Sequence, residues 1–428
     1  MHILPIITSY STLNSPHPTH TPLQNTNMGK PLHISFSLSF FFTFVFFILH
    51  PSSATNVYNV ISFGAKGDGL TDSTKAFTDA WAAACASIAS TTSIIFVPRG
   101  RYLLRPAVFA GQCTRTRIII LIKGTLVAPS DYRILGKADS WFSFEGVSGV
   151  SILGGVLDAR GHALWACKAA GNQQHCPSGA TTLSFTNSNN IMIKGVLSVN
   201  SQMFHIVING CNNVRLQGIS IKAPESSPNT DGIHVQLSAN IAIVRSIIRT
   251  GDDCISIGPG TRNLWIERVK CGPGHGISIG SLAKDMEEEG VENVTVRTAV
   301  FTGTQNGLRI KSWPRPSKGF VNGVHFRGAI MDNVQYPIVI DQNYCPGDED
   351  CPSQESGVKV SNVTYKEIEG TSATEVAIKF HCSATDPCTF LRLEDVKLSY
   401  VNDERVAQSF CRYANGKAYG LVQPDSCF

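Results

Sequence analysis

The stretch "NVRLQGISI", residues 213–221, is an asparagine followed by apolar residues at alternate positions. A period of two places the apolar side chains on one face of a β-strand and indicates that this face is buried. The same pattern returns along the chain, as "NIMIKGVLSV" from residue 190, "NIAIVRSII" from 240, "NLWIERVKC" from 263, "NVTVRTAVF" from 293 and "NVTYKEI" from 362. A strand pattern that recurs at a short period is typical of a solenoid.

The spacing of these repeats sets the size of one coil. Between residues 190 and 362, the asparagines that open the repeats stand 23, 27, 23, 30, 29 and 40 residues apart. Each repeat has room for two or three short strands, and no helix of useful length separates them. We therefore predict an all-β protein, a single-stranded right-handed parallel β-helix whose successive strands lie ~4.8 Å apart. A β-sandwich and a β-propeller are the alternative architectures.

A solenoid needs protected ends. The stretch "TDSTKAFTDAWAAACASIAS", residues 71–90, predicts a short N-terminal capping helix, with Asp72 placed as its N-cap. Its apolar residues recur at helical spacing: Phe77, Trp81, Cys85 and Ile88. The cysteine-rich segment after residue 380 is expected to cross-link the last coils. No linker rich in proline or glycine interrupts the interior, which favours one domain.

Residues 1–54 are predicted to be an N-terminal extension that contains a secretory signal peptide. Lys30 precedes the uncharged run "ISFSLSFFFTFVFFIL", and the small residues Ser52 and Ala54 follow it. The run is short for a membrane span, although an uncleaved anchor is the alternative. Met28 is a second candidate for the start of the chain. We therefore predict that residues 55–428 form the mature β-helix domain, which is secreted and has no membrane partner after cleavage.

The cysteines agree with secretion. All 13 follow residue 54, and their spread through a large chain in an oxidising compartment favours disulfides over zinc. Close spacing suggests four pairs: Cys167–Cys176, Cys345–Cys351, Cys382–Cys388 and Cys411–Cys427. The odd number leaves at least one thiol unpaired, and we predict a buried thiol at Cys211. Two sequons, at Asn293 and Asn362, are candidate glycan sites.

Charge narrows the class of partner. Charged residues make up 16% of the chain, and the formal net charge is +4. This excess of positive charge is too small to indicate a nucleic-acid partner, but it does not oppose an acidic substrate. We expect a monomer.

The coil period brings distant acidic residues together. Asp231 precedes Asp252 by 21 residues, and His275 follows Asp252 by 23, so each separation is about one coil. Residues one coil apart are stacked neighbours, which places Asp231, Asp252, Asp253 and His275 on one side of the solenoid. Each motif alone is compatible with an ordinary solvated turn. Crowded carboxylates, however, raise one another's proton affinity, so that one acts as an acid and another as a base, as glycosidic hydrolysis requires.

Two cations extend this group. Arg309 and Lys311 stand two residues apart in "NGLRIKS" and therefore share one face of a strand. Their distance from His275 is 34 residues, which fits one coil with an inserted loop, for which "LAKDMEEEG" is the candidate. The sequence thus predicts three carboxylates, an imidazole and two cations along a groove that faces solvent.

Four motifs in this order carry a family resemblance. They are "SPNTDGI" from residue 227, "GDDC" from 251, "CGPGHGISIGS" from 271 and "RIK" from 309. Together they closely resemble the plant polygalacturonases, pectin-degrading glycoside hydrolases with a right-handed parallel β-helix. The likeness runs from residue 59 to the C-terminal cysteines. It implies a secreted enzyme of the cell wall that hydrolyses α-1,4-linked galacturonate with inversion and without a cofactor or metal, and it leaves endo or exo action undecided.

The resemblance also implies roles for individual residues. Asp252 would protonate the leaving oxygen, while Asp231 and Asp253 would activate the attacking water. His275 would hydrogen-bond within the site and help to keep the acid protonated. The residues that would contact substrate are Asn229, Arg309, Lys311 and Tyr344, with the two cations binding a galacturonate carboxylate. The resemblance further implies a disulfide between Cys254 and Cys271 beneath the site.

One loop departs from the family pattern. After "GISIGS" the family commonly continues "LGKY", whereas this chain has "LAKD", so Ala283 and Asp285 are expected to change the rim of the groove. Three other functions remain as alternatives. They are a pectate lyase, which would generally need calcium, a rhamnogalacturonan hydrolase, and a non-catalytic wall-binding β-helix. The complete set of acids, histidine and cations argues against all three.

Overall fold

The strands of this protein wind into a parallel β-helix, as predicted. The computed structural model describes residues 55–428 apart from 89–90, 112, 114–116, 172–174, 349 and 403–404. The predicted signal peptide therefore lies outside the described residues. The described part contains 33 strands, and its paired strands run parallel, each to the strand one coil away. This topology excludes the sandwich and the propeller, because both are built from antiparallel neighbours.

The coil has three strand columns, and the first forms a sheet of 11 strands that carries the site described below. Its strands are β5 (Ala107–Ala110), β8 (Ser140–Glu145), β11 (Thr181–Thr186), β14 (Ile206–Asn209), β17 (Ile233–Gln236), β20 (Ile255–Ile257), β23 (Ile277–Leu282), β26 (Asn306–Ser312), β28 (Tyr336–Asp341), β30 (Val376–His381) and β32 (Gln408–Arg412).

The second and third columns together form a sheet of 22 strands. The second column is β1 (Thr55–Asn59), β3 (Thr92–Val97), β6 (Arg117–Ile122), β9 (Val150–Leu153), β12 (Asn189–Lys194), β15 (Asn212–Gln217), β18 (Ala239–Val244), β21 (Arg262–Glu267), β24 (Val291–Arg297), β27 (Phe320–Val334), β29 (Lys359–Ser372), β31 (Cys388–Tyr400) and β33 (Ala414–Gln423). The third column is β2 (Asp68–Asp72), β4 (Arg101–Leu103), β7 (Thr125–Val127), β10 (Val156–Asp158), β13 (Leu197–Val199), β16 (Ser220–Lys222), β19 (Ile247–Arg249), β22 (Lys270–Cys271) and β25 (Val300–Thr302). The long strands β27 and β29 run through the corner between these columns.

Aliphatic side chains stacked inside the coil fix the register. Ile206, Ile233, Ile255, Ile277 and Leu308 are successive partners along the first column, and each is fully buried. Branched aliphatic chains have few rotamers and pack well on a pleated surface. A shift of one residue would turn these side chains out to water, so the stack holds the strand ends at defined heights.

The recurring asparagines form a ladder along one corner of the coil. Asn213 donates from Nδ2 to Oδ1 of Asn190 at 2.7 Å, Asn263 to Asn240 at 3.1 Å, and Asn293 to Asn263 at 2.6 Å. Each of these residues has a φ between 54° and 59°. Asparagine accepts this left-handed conformation better than most residues, and its amide both donates and accepts. These two properties explain why the repeat begins with asparagine.

The N-terminal end carries the predicted capping helix, α1 (Thr74–Cys85), which buries Phe77 and Trp81 against the first coils. The helix begins one residue later than expected. Ser73 occupies the N-cap position, whereas Asp72 accepts a hydrogen bond from the amide of Thr74 at 2.9 Å. The N-cap prediction was therefore wrong by one residue, although the carboxylate still serves the first turn.

The predicted helix also ends earlier than expected. Ile88 lies beyond its end and is 92% exposed, so its assignment to the apolar face was wrong. Two further helices, α2 (Tyr132–Gly136) and α3 (His162–Ala169), lie in connections between coils, and short 3₁₀ turns cover Val60–Phe63 and Pro346–Asp348. Among the described residues, no helix is both long and apolar enough to cross a bilayer.

Six disulfides cross-link the described chain. The four close pairs predicted from spacing and the pair implied by the resemblance are all present: Cys167–Cys176, Cys345–Cys351, Cys382–Cys388, Cys411–Cys427 and Cys254–Cys271. The sixth joins Cys85 of α1 to Cys113 and was not predicted. Cys211 is a buried free thiol, which confirms the prediction.

Candidate active site

Three turns between the third and first columns carry the acidic residues. Asp231 lies just before β17, Asp252 and Asp253 just before β20, and His275 just before β23. Hydrogen bonds join these turns directly: the amide of Gly232 donates to the carbonyl of Asp253 at 2.9 Å, and the amide of His275 donates to that of Asp252 at 2.8 Å. The coil period thus brings together the four residues that the sequence predicts to be neighbours.

Side chains beneath the turns fix their positions. Thr250 donates to Oγ1 of Thr230 at 2.8 Å, and this atom also accepts from the amide of Gly251 at 3.2 Å. A Cβ on Gly251 would lie 2.2 Å from the carbonyl oxygen of Ser227, so only glycine fits before the two aspartates. The two threonines were not among the residues predicted from the sequence. Their signal was their place immediately before Asp231 and before the glycine of "GDD".

Asp253 is enclosed by hydrogen-bond donors. Its Oδ1 accepts from Ser278 at 2.7 Å and from Arg309 at 2.8 Å, while its Oδ2 accepts from Lys311 at 2.8 Å. Only 2% of its side chain is exposed. Burial alone would raise its pKa, but the charges of Lys311 and Arg309 hold the pKa at about 2. Asp253 is therefore an anion across the usual range of pH.

Asp231 has the opposite tendency. Burial raises its pKa well above the ordinary value, and the neighbouring charges of Asp252 and Asp253 raise it further. No cation contacts Asp231 in the described structure as Lys311 and Arg309 contact Asp253. One site thus holds two neighbouring carboxyl groups whose proton affinities are shifted in opposite directions, which is the division of labour of general acid–base catalysis.

Asp252 lies between the groove and His275. Its Oδ1 is 3.3 Å from Nδ1 of His275 and accepts from the amide of Asp253 at 2.7 Å. Both side chains are partly exposed. His275 faces a smaller cavity of about 170 Å³, next to Glu225 and Gln305, rather than the main groove. Asp252 is thus the carboxyl group that reaches both the open groove and the imidazole.

The predicted substrate contacts divide into two levels. Lys311, Tyr344 and Asn229 line the groove, and the Lys311 ammonium lies 5.0 Å from the centre of the Tyr344 ring. Arg309 lies below them, 8% exposed, with its Nε bonded to Ser278 at 3.0 Å. Both cations bind Asp253 in this structure. Their binding of a substrate carboxylate stays a prediction.

The main groove runs along the outer face of the first column and has a volume of about 840 Å³. A row of side chains in strict register across successive coils runs along it: Ser143, Ser184, Val207, His234 and Ser256 line the floor, and Ser278 and Arg309 continue the row beyond the lining residues. A parallel row begins with Glu145 and continues through Thr186, Asn209 and Gln236. Apart from Arg309, none of these residues was identified from the sequence, although each lies on the outward face of a strand.

His234 is the most restrained member of the floor. Its Nδ1 is 2.8 Å from Oγ of Ser256, its Nε2 is 3.2 Å from Oε1 of Gln236, and its ring stacks on Phe204 at 5.1 Å. Burial lowers its pKa. His234 is therefore a neutral ring that presents a fixed edge and face to a molecule in the groove.

The rim loop, whose sequence departs from the family pattern, is held by hydrogen bonds to one carboxylate. Glu288 accepts from the amides of Ala283 at 2.6 Å, Lys284 at 2.7 Å and Asp285 at 3.3 Å. Ala283 has a φ of 64°. The loop places Lys284, Asp285 and Glu288 along the groove. This side of the entrance thus carries two acids and one cation.

The site contains one group of possible metal ligands, but the charges around them do not suit a metal ion. One oxygen each of Asp252 and Asp253 and one ring nitrogen of His275 lie within 4.8 Å of one another. Both oxygens of Asp253, however, already accept from Arg309 and Lys311. A divalent cation at this point would be close to two positive charges, so these donors do not favour a resident metal.

Comparison with known proteins identifies the family. Residues 85–419 match the model of glycosyl hydrolases family 28. The chain is 59% identical to a polygalacturonase of Prunus persica over 92% of this chain and 98% of that protein. It is 40% identical to a polygalacturonase of Gossypium hirsutum over 92% and 96%.

Solved structures agree on the architecture. The polygalacturonase from Erwinia carotovora superposes with a TM-score of 0.68 at 26% identity, over 86% of this chain and 97% of that one. An exopolygalacturonase from Thermotoga maritima gives 0.71 at 20% identity, over 85% and 90%. These neighbours share the right-handed parallel β-helix, which confirms the predicted hand of the coil. On these grounds the chain belongs to glycosyl hydrolases family 28 and is a glycoside hydrolase of the polygalacturonase type.

Proposed function

We propose that this protein hydrolyses α-1,4-galacturonosyl linkages of homogalacturonan with inversion of configuration. The observation that carries this proposal is the pair of carboxyl groups whose pKa values shift in opposite directions at the floor of an open groove, Asp231 upwards and Asp253 downwards. The acid and base of an inverting enzyme stand ~6.5–9.5 Å apart, which leaves room for water between them. Asp231 and Asp252 lie on turns of adjacent coils, so ~4.8 Å of axial rise combined with a lateral offset would supply such a separation between these two carboxyl groups.

Asp252 is the proposed general acid. All three aspartates line the groove, and Asp252 is the one that is partly exposed, so it is placed to protonate the leaving oxygen. The raised pKa of Asp231 places the resting proton of the three-carboxylate cluster on Asp231. Transfer of that proton to Asp252 puts the general acid in its protonated form and leaves Asp231 as an anion. His275, 3.3 Å from Asp252, holds the acid in position during this transfer.

Asp253, together with the ionised Asp231 on the adjacent coil, is the proposed general base. The anion of Asp253 is present throughout the working range of pH because Lys311 and Arg309 stabilise it. The base takes one proton from water, and the resulting hydroxyl attacks the anomeric carbon opposite the leaving oxygen. The acid loses one proton to that oxygen, so the cluster returns to its starting charge after one proton moves back from Asp253 to Asp231.

Substrate recognition is proposed to involve Lys311, Tyr344 and Asn229, which line the groove next to the acids. A galacturonate carboxylate at Lys311 would share this cation with Asp253. The tyrosine ring offers an apolar face to a pyranose. Arg309 would act mainly through Asp253 and contribute less by direct contact.

The proposed location is the plant cell wall, with the enzyme acting as a monomer after removal of residues 1–54. Six disulfides support an oxidising compartment. Asn293 and Asn362 are exposed, as glycan carriers must be. Nδ2 of each, the atom that a glycan would occupy, also donates in the asparagine ladder at 2.6 Å.

Two substrates test the acid assignment. On polygalacturonate, Asp252→Asn should lower turnover by 10²–10⁴-fold, the usual contribution of a general acid. On a nitrophenyl glycoside of a galacturonate oligomer the loss should be small, because nitrophenolate leaves without a proton. Asp253→Asn should lower turnover on both substrates, and Asp285→Asn at the rim serves as the matched control. Equal losses of Asp252→Asn on both substrates would remove its assignment as the acid.

The stereochemistry is tested separately. Proton NMR of the first-formed reducing ends should show the β anomer, and an initial α anomer would overturn inversion. A lyase would instead produce unsaturated chain ends, which absorb ultraviolet light, and a chelator would prevent their formation.

A further inference from the structure

A second face of the coil carries a cluster of exposed cations. It extends from the corner between the second and third columns along the third column to Lys222 and Arg249 at the ends of β16 and β19, whereas the groove lies on the first column. The cluster, called here the basic edge, consists of Lys222, Arg245, Arg249, Arg268, Lys270 and Arg297, all of them exposed. These residues belong to four successive coils, from β16 to β24. A chain bound along this edge would not occupy the catalytic groove.

The cations are stacked on one another rather than paired with acids. Lys222 and Arg249 are register partners on adjacent strands. Like charges in this position destabilise a sheet. The described structure gives the basic edge one ion pair within 4.0 Å, that of Arg268 with Glu267 at 3.8 Å. The coil therefore retains a local excess of positive charge that an anionic partner would relieve.

Two of the arginines occupy a backbone position that suits glycine. Gly218, Arg245 and Arg268 stand at the same turn in successive coils, and their amides donate to the next coil at 2.9–3.0 Å. Arg245 has a φ of 54° and Arg268 a φ of 55°. A left-handed conformation is strained for a residue with a Cβ but not for glycine. Thr298 takes the same position in the next coil with a φ of 55°, so the turn accepts several residue types, and glycine is the least strained replacement for either arginine.

An exposed tryptophan lies beside this edge. Trp265 is 40% exposed, and its indole nitrogen donates to Glu267 at 3.1 Å, so the orientation of the ring is fixed. Its register partners on the adjacent strands are the small residues Ala242 and Thr295, which leave the flanks of the ring uncovered. An oriented aromatic face is the element on which the apolar side of a pyranose stacks.

We propose that Trp265 and the basic edge form a second carbohydrate-binding surface, which binds an acidic polysaccharide of uronate residues outside the groove. Each of the four coils carries at least one of these cations, and adjacent coils lie ~4.8 Å apart along the axis, so the edge presents repeated partners to a polymer with one carboxylate per sugar. The ring supplies stacking that a simple cation exchanger lacks. The choice of a polyuronate rests on the proposed function, but the existence of the surface does not.

The test measures retention on polymer separately from catalysis. The Asp252→Asn protein, whose turnover is expected to be at least about 100-fold lower than that of the wild type, is passed over immobilised polygalacturonate while short galacturonate oligomers saturate the groove. In this background Arg245→Gly with Arg268→Gly should weaken binding about tenfold, the size of two exposed ion pairs. Glycine already occupies this turn at Gly218, so the backbone tolerates the change. Trp265→Ala should weaken binding severalfold.

Controls distinguish a site from bulk charge. The pair Lys359→Ala with Lys417→Ala removes the same charge from exposed positions in the last coils and should leave retention within twofold. With Asp252 intact, the basic-edge variants should hydrolyse short oligomers at the wild-type kcat/KM. Unchanged retention, an equal loss in the lysine control, or retention on dextran sulfate that is as strong and independent of Trp265 would each overturn the proposal. Failure of the proposed function would appear instead as absent hydrolysis by the wild-type protein.

Discussion

Replacing Lys311 by methionine should expose how strongly the site depends on the buried charges around Asp253. The Lys311 ammonium lies 2.8 Å from Oδ2 of Asp253, whose side chain is 2% exposed. The cations lower the pKa of Asp253 from 3.8 to about 2, which corresponds to roughly 2 kcal/mol of folding free energy at neutral pH. Removing one partner of a buried pair generally costs about 3–5 kcal/mol. Because Arg309 remains, we expect the free energy of unfolding to fall by about 3 kcal/mol at pH 7.

The pH dependence has a definite sign. In the wild-type protein the stabilisation from Asp253 is complete above its unfolded pKa, near 3.8, and is lost as the pH falls through about 2. In the variant, burial is opposed by Arg309 alone, so the pKa of Asp253 rises. Protonation then removes an incompletely paired buried charge. The difference in stability between wild type and variant should therefore shrink between pH 7 and pH 3.

Urea unfolding followed by tryptophan fluorescence measures these differences. The variants are Lys311→Met, Asp253→Asn and the double substitution, with a coupling energy of roughly 2 kcal/mol expected between the two sites. Lys379→Met is the matched control. It lies further along the same column and should change stability by less than ~0.5 kcal/mol. A loss below ~1 kcal/mol for Lys311→Met, a loss that does not depend on pH, or additive effects in the double variant would refute the reasoning.

Two further predictions concern other parts of the molecule. Glu145 is an exposed acid in the groove, three strand steps from Gln236, so Glu145→Gln should lower the KM for polygalacturonate about twofold to fivefold, while Glu145→Asp should not. Steady-state kinetics on polymers of low and high methyl esterification measure this, with the gain confined to the unesterified polymer. Burial raises the pKa of Cys211, so this thiol should not react with a disulfide reagent until urea unfolds the protein. Reaction at the native rate of a free thiol would contradict its burial.

The features that the sequence predicted well depend on the coil period alone. Asp231, Asp252 and His275 are about one repeat apart, and repeats stack, so their proximity follows without knowledge of any side-chain contact. The same holds for the short disulfide loops, such as Cys345–Cys351, which the chain can close in few ways. Cys85–Cys113 was not predictable in this manner, because it joins a helix to a long connection between coils.

The features that the sequence did not predict depend on atomic distances across coils. Arg309 and Lys311 were expected to face the substrate, and their shared strand face was correct. Which partner they contact depends on the position of β26 along the coil axis relative to the turn that carries Asp253. This position cannot be obtained by counting residues, because the rim loop is inserted between β23 and β24. The same limit applies to His234, whose role in the floor depends on Ser256 one coil away.

Because the strands of the first column are in strict register, the length of the groove floor that holds the substrate is set in fixed steps along the coil axis. Every added turn of the solenoid lengthens the floor by the thickness of one strand, and an insertion in a loop leaves that scale unchanged. Gain or loss of a whole repeat before β17 would therefore alter how many sugars are held, without moving the three aspartates proposed to catalyse cleavage. In this family, the length of the product fragments would then depend on the number of coils.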